Sequence, residues 1–160
     1  GRFQYIVSEA NITAIVDYAH TPDALENVLK TINDIRTKNE QLITVVGCGG
    51  NRDKAKRPVM GGIASDLSDK AILTSDNPRN EDATVIISEM EQGVAPQNFK
   101  RILSITDRKQ AIKTACQLAQ PNDIILIAGK GHETYQEIEG VRHDFDDLKI
   151  TENMFNELKK

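Results

Sequence analysis

The chain has 160 residues, 39% hydrophobic and 28% charged, with a formal net charge of −4 and few aromatics. One domain of this length buries roughly 70% of the surface its unfolded chain exposes, so a core can hold it without disulfide or metal staples. The acidic balance excludes a nucleic-acid surface, which needs a basic stripe interleaved with aromatics. The longest apolar run, Ile124 to Ala128, is too short to cross a bilayer, and no charged-then-apolar segment opens the chain. Cys48 and Cys116, far apart and at no metal-ligand spacing, suit a reducing compartment, so the expectation is a soluble cytoplasmic protein. The opening Gly1-Arg2-Phe3-Gln4 has no initiating Met and reads as a fragment of something longer.

Ile12 to Val16 is apolar and β-branched, as a buried strand requires. Thr21 as N-cap and Pro22 at the first helical position then start a helix, with Leu25, Val28, Leu29, Ile32 and Ile35 along one face. The unit repeats. Leu42 to Val46 is a strand, Gly47 to Lys54 a loop, and Pro58 to Leu67 a helix. Ala71 to Leu73 is a third strand, followed by a helix opened by Asp82 and carrying Val85, Ile86, Met90 and Val94. Arg101 to Ile105 is a fourth strand; Asp107 caps a helix using Ala111, Ile112, Ala115, Cys116 and Ala119; Asp123 to Ala128 is a fifth. Tyr135 to Glu139 and Val141 to His143 flank Gly140 as a hairpin, ahead of a last helix from about Asp146 to Leu158.

This alternation predicts a single doubly wound α/β domain over 1–160: a mostly parallel sheet of about six strands, helices on both faces, and a C-terminal hairpin and helix. Right-handed crossovers put every strand-to-helix loop at one edge of the sheet, so loops remote in sequence share a crevice.

The stretch Asp76-Asn77-Pro78-Arg79 follows a strand, and Pro78 forces Asn77 out of helical geometry. It offers an acid, an amide and a guanidinium, a set that fixes both ends of a zwitterion. The same residues also suit an ordinary turn in which Asp76 or Asn77 closes an Asx turn and Asn80 caps the next helix. Gly47-Cys48-Gly49-Gly50 lets the backbone approach an anion closely, but neither it nor Gly129-Lys130-Gly131-His132-Glu133 completes a nucleotide-binding loop. Arg52, Lys54, Lys56 and Arg57 gather near one mouth, where Lys54 and Lys56 read as a solvated helix start. Cys48 reads as a small loop residue rather than a reactive thiol. His20 and His132, with Asp17 and Glu133, admit either a structural or an acid-base role, and neither a nucleophilic triad nor a zinc cluster can be assembled.

Four ordered stretches, Asp17 to Glu26, Gly47 to Lys54, Asp76 to Arg79 and Gly129 to Glu133, resemble the C-terminal domain of the Mur ligase family over essentially the whole chain, in the branch that adds the third peptide residue. The resemblance implies an ATP-dependent ligase of peptidoglycan synthesis, using ATP and Mg2+ in the full-length enzyme. There the carboxylate of UDP-N-acetylmuramoyl-L-alanyl-D-glutamate becomes an acyl phosphate and the amine of an amino acid attacks it. It makes Asp76 to Arg79 the amino-acid selector, with Arg79 pointing to meso-diaminopimelate. That ligand differs from lysine by a distal carboxylate, which a guanidinium holds bidentately. By the same resemblance Arg52 is a second arginine of the clamp, Asn77 a further carboxylate donor, and Gly129 and Glu133 acceptors for the distal ammonium. Arg2, Asp17 and His20 become the residues lent to ATP. No catalytic or metal-binding residue is expected within this chain. The central ATPase domain of the same protein is the expected partner, and the isolated domain is expected to bind its amino acid weakly and to be inactive. A lysine-adding or other Mur-type ligase domain, or a non-catalytic α/β binding module, are the alternatives.

Overall fold

The structure, a computed structural model, describes residues 3–131 and 133–160. Its elements run β1 (Phe3–Val7), β2 (Thr13–Asp17), α1 (Pro22–Ile35), β3 (Leu42–Cys48), α2 (Lys56–Leu67), β4 (Lys70–Ser75), α3 (Ala83–Glu91), a 3-10 helix (Pro96–Arg101), β5 (Ile102–Ser104), α4 (Arg108–Leu118), β6 (Ile124–Ala128), β7 (Tyr135–Ile138), β8 (Val141–Asp144) and α5 (Asp147–Leu158). A six-stranded sheet has the order β1-β2-β6-β3-β4-β5, and β7-β8 form a separate hairpin. All neighbours in the large sheet are parallel except β1, which pairs antiparallel with β2 at the edge.

The strand order explains the layers. β2 to β3 to β4 to β5 advances in one direction, so right-handed crossovers lay α1, α2 and α3 on one face. The return from β5 to β6 puts α4 on the other, where α5 joins it. Two apolar cores follow: Leu25, Leu29, Ile32, Met60 and Met90 pack with Val46, Leu73 and Leu126 on the first face. Ile112, Ala115, Met154 and Phe155 pack with Val16, Val45, Ile72 and Ile127 on the second. β3, buried at every position, feeds both.

Helix starts follow side-chain chemistry. Thr21 caps α1 by accepting from the Ala24 N–H at 3.3 Å, with Pro22 next, and Asp82, Asp107 and Asp146 cap α3, α4 and α5 in the same way. α2 is the exception. It begins at Lys56, two residues before the expected Pro58, and has no side-chain cap.

Several expectations need correction. β1 is an additional strand; alternation exposes Phe3, Tyr5 and Val7 while Ile6 packs against the second core, so its signal is that of an edge strand. Arg101 ends the 3-10 helix instead of starting β5. Ile35 and Val85 point outward, and Ile87 takes the buried place beside Ile86. Asp123 precedes β6, where its carboxylate receives the N–H groups of Gln41 and Gln120, both at 2.8 Å. Cys48 is the last residue of β3, and burial pushes its thiol up to about 12, so it serves as a core residue.

Candidate functional site

The C-terminal ends of β2, β3, β4 and β6 face one edge of the sheet, and the loops leaving them enclose a cavity of about 290 Å³. Its walls include Arg52, Asp76, Asn77, Arg79, Gly129 and Glu133, so the six residues expected to select the amino acid are brought together. Tyr18, His20, Gly49, Lys56 and Tyr135 complete the lining.

The glycine loop and the Asp76 to Arg79 loop are packed backbone to backbone. Gly50 N–H donates to the Asn77 carbonyl at 2.7 Å, and a Cβ on Gly50 would strike the Pro78 carbonyl. Arg79 and Arg52 both flank Gly49: a Cβ there would lie 2.9 Å from Arg79 Nη1 and 3.7 Å from Arg52 Cγ. Both arginines therefore border one hollow. Arg79 Nη1 donates to the Gly50 carbonyl at 3.0 Å, its Nε lies 3.8 Å from Glu137 Oε1, and Nη2 makes no hydrogen bond to the described residues. The Arg79 backbone is left-handed (φ 51°), a conformation that costs a non-glycine residue about 1 kcal/mol or more. The hairpin holds it there, because Arg79 N–H donates to the Glu137 carbonyl at 3.0 Å and Glu139 N–H to the Arg79 carbonyl at 2.6 Å. Arg52 stands at the exposed rim, with Nη1 bonded to the Asn51 carbonyl at 2.9 Å.

Asp76 and Asn77 are nearly fully buried. Neither closes an Asx turn. Asn77 Oδ1 accepts from Lys130 Nζ at 2.6 Å and from the Glu137 N–H at 2.9 Å. Asp76 Oδ1 lies 3.1 Å from the Lys130 ammonium but receives no well-aligned hydrogen bond from the described residues, which leaves an acceptor for an incoming donor. Burial and the nearby Asp76 charge push the Glu133 carboxyl above its ordinary range, opposed by the positive charge of Lys130 and a hydrogen bond from Asn77. A bound ammonium would relieve that repulsion.

Three groups important to this geometry carry no clear sequence signal. Lys130 is completely buried, and desolvation lowers its pKa while Asp76 opposes the shift. The hint was a lysine between two glycines after a strand. Those glycines have φ of 119° and 54°, and the turn sends the lysine inward, with Gly131 pressed against the Tyr18 backbone. Arg57 is also completely buried, unlike the solvated helix start read for its neighbours Lys54 and Lys56. It donates to the Gly49 carbonyl at 3.0 Å and to Glu81 at 2.9 Å. Arg108 forms a buried fork on Asp147 at 2.7 and 2.9 Å and reaches the carbonyls of Ser75 and Ala128, at the ends of β4 and β6.

Of the residues expected to serve ATP, Arg2 lies outside the described residues; His132, read as either structural or acid-base, lies outside them as well. Asp17 ends β2 beside the cavity, where its Oδ1 accepts the Ala19 N–H at 2.9 Å. His20 lines the rim, with Nδ1 3.0 Å from the Tyr18 carbonyl and its ring against that of Tyr18. Among the described residues no group of three or more His, Cys, Asp or Glu side chains is arranged to hold a metal, and no helix is long and apolar enough to cross a membrane.

A family model described as Mur ligase, glutamate ligase domain, matches residues 1–131. A UDP-N-acetylmuramoyl-L-alanyl-D-glutamate--2,6-diaminopimelate ligase from Cytophaga hutchinsonii is 59% identical over 160 residues, which is 100% of this chain and 33% of that relative. The protein of the same name from Bacteroides thetaiotaomicron is 56% identical over 98% of this chain and 32% of its own length. The chain thus spans about a third of the length of the curated relatives it matches. A solved structure carrying that ligase name superposes with a TM-score of 0.91 at 48% identity, covering 100% of this chain and 32% of the other. Folylpolyglutamate synthase from Thermotoga maritima, at 19% identity and a TM-score of 0.58 over 81% of this chain and 27% of its own, shares the fold.

Proposed function

The chain belongs to the Mur ligase family, and from that membership we propose that it is the amino-acid-receiving domain of an ATP-dependent ligase joining meso-diaminopimelate to UDP-N-acetylmuramoyl-L-alanyl-D-glutamate. The observation that carries the reading is the shared cavity, which Arg52 and Arg79 line together with the carboxylates of Asp76 and Glu133. Diaminopimelate has a carboxylate and an ammonium at each end. A site that binds its distal end must supply donors and acceptors side by side, and this one does.

In such a ligase, ATP converts the dipeptide carboxylate to an acyl phosphate, and attack by the amino acid's amine forms the amide and releases phosphate. The residues of this domain position the nucleophile. Arg79 and Arg52 hold the distal carboxylate, Asn77 donates to it, and Glu133 and the Gly129 carbonyl accept from the distal ammonium. The free amine is thereby directed out of the cavity toward the activated carboxylate, which exchanges a bimolecular encounter for a held geometry. Asp17, His20 and Arg2 are the groups offered to the nucleotide. Among the described residues no donor set fits a magnesium cage, and the reading assigns Mg2+ and the phosphate loop to the remaining two thirds of the ligase, with the central ATPase domain as partner. The two unpaired, buried cysteines and the nucleotide-linked substrates support a cytoplasmic location.

Arg79→Ala in the full-length ligase tests the reading: the KM for diaminopimelate should rise about 10- to 100-fold with a smaller change in kcat. An unchanged KM overturns the role of Arg79. Equal kcat/KM for lysine and diaminopimelate in the unmodified protein moves it to the lysine-adding branch.

A further inference from the structure

A primary amide can turn either face to a ligand, and its two orientations have almost the same shape. Asn77 has no such choice. Its Oδ1 accepts from Lys130 Nζ at 2.6 Å and from the Glu137 N–H at 2.9 Å, which uses both lone pairs and leaves the NH2 as the side of the amide that faces the cavity Asn77 lines. Turning the amide over would place its NH2 against an ammonium and a backbone N–H, leaving buried donors facing donors. Asn77 is 3% exposed and Lys130 0%, so water cannot mend the mismatch. The only groups Asn77 can present to the cavity are N–H donors.

We infer that Lys130 is the positioning residue that locks Asn77 as a one-way donor, and so commits the cavity to a ligand bearing a carboxylate where lysine bears none. The lock has a second anchor. Lys130 Nζ also donates to the Tyr135 carbonyl at 2.9 Å, which fixes the ammonium between the Asn77 loop and the hairpin and keeps it from following the ligand. With the ammonium removed, only the Glu137 N–H holds Oδ1. The amide is then free to turn its oxygen toward the cavity, which suits an ammonium rather than a carboxylate. The inference rests on the diaminopimelate reading of the cavity, and its test separates the two.

In the full-length ligase, Lys130→Met should raise the KM for meso-diaminopimelate about tenfold while kcat changes far less. It should lower the ratio of kcat/KM for diaminopimelate over L-lysine by about the same factor. A residue that only supports the fold would reduce activity on both amino acids together. The decisive measurement is the double-mutant cycle: on an Asn77→Ala background, Lys130→Met should add less than about twofold to the diaminopimelate KM. Lys130→Gln, which keeps a neutral donor in the same pocket, should recover part of the specificity ratio, and it carries the cycle if the Met variant does not fold. An equal multiple in both backgrounds, or an unchanged specificity ratio, overturns the role of Lys130 while leaving the cavity assignment standing. An Asn77→Ala protein with unaltered KM overturns the cavity assignment itself, and the inference with it.

Discussion

Arg57 and Arg108 are both completely buried, both reach backbone carbonyls at the cavity edge of the sheet, and lie on opposite faces of the sheet, yet they are solved differently. Arg108, on α4, has a partner for each of its three nitrogens. Asp147 takes a two-pronged bond from Nε and Nη2 and is itself fully buried, and the ends of β4 and β6 accept from Nη1 and Nη2. Arg57, on α2, meets carboxylates that are partly in water, Glu81 at 19% and Glu89 at 27% exposure, and its Nε has no partner among the described residues. The lesson is that one wall of the cavity is fastened inside the protein and the other at its surface. The first should tolerate no loss of either partner. The second should yield gradually, to pH as well as to mutation.

The largest effect expected is for Arg108→Met, which strands the Asp147 carboxylate in the second core: about 3–5 kcal/mol of stability, read by denaturant unfolding. Adding Asp147→Leu should recover part of the loss but not all, because the Ser75 and Ala128 carbonyls still lack their donor. Full recovery would mean that Arg108 does not brace the strand ends. Arg57→Met comes next. Glu81 and Glu89 can turn to water, so the expected cost is about 1–3 kcal/mol, that of leaving the buried Gly49 carbonyl unpaired. A loss matching that of Arg108→Met would erase the distinction between the two walls.

Acid should find the Arg57 wall. The Arg57 guanidinium first, then the Asn51 N–H, hold the Glu81 carboxyl down at about 2 against an ordinary 4.5. A carboxylate with a depressed folded pKa contributes stability that is complete above its unfolded value and is lost as pH falls toward the folded one. Stability should therefore decline between about pH 4.5 and 2, and Arg57→Met should flatten that decline in unfolding curves taken across the window. The smallest effect belongs to Glu89→Gln, within about 0.5–1 kcal/mol, since one partly exposed ion pair is lost while Glu81 remains.

How far the sequence could be read follows the same contrast. Alternating apolar runs and capping residues placed five parallel strands, five helices and the hairpin, because those signals are local. The edge strand β1 went unread, since three of its five side chains, Phe3, Tyr5 and Val7, are apolar and exposed. That the loops carrying Arg52, Asp76, Asn77, Arg79, Gly129 and Glu133 meet was legible because strand-end loops must converge, whereas the choice of those six residues came from the resemblance to the Mur ligases. Arg57, Arg108 and Lys130 were not legible, since a charged residue is by default on the surface and only distant partners reverse that. Asp147 stands 39 positions from Arg108, and Asn77 stands 53 from Lys130. No window along the chain contains such a pair.

The hairpin carries one more implication. It exchanges no ladder with the large sheet, but its β7 strand bridges to Arg79 and fixes that residue's main chain from both sides. The Arg79 main chain is thus clamped to a short ribbon whose turn, at Glu139 and Gly140, is open to solvent. Lengthening or trimming that tip by a residue would slide the charge relative to the Asp76 wall while the sheet stays still. If the cavity receives the proposed amino acid, a ruler for its reach is built into a turn that does not line the cavity.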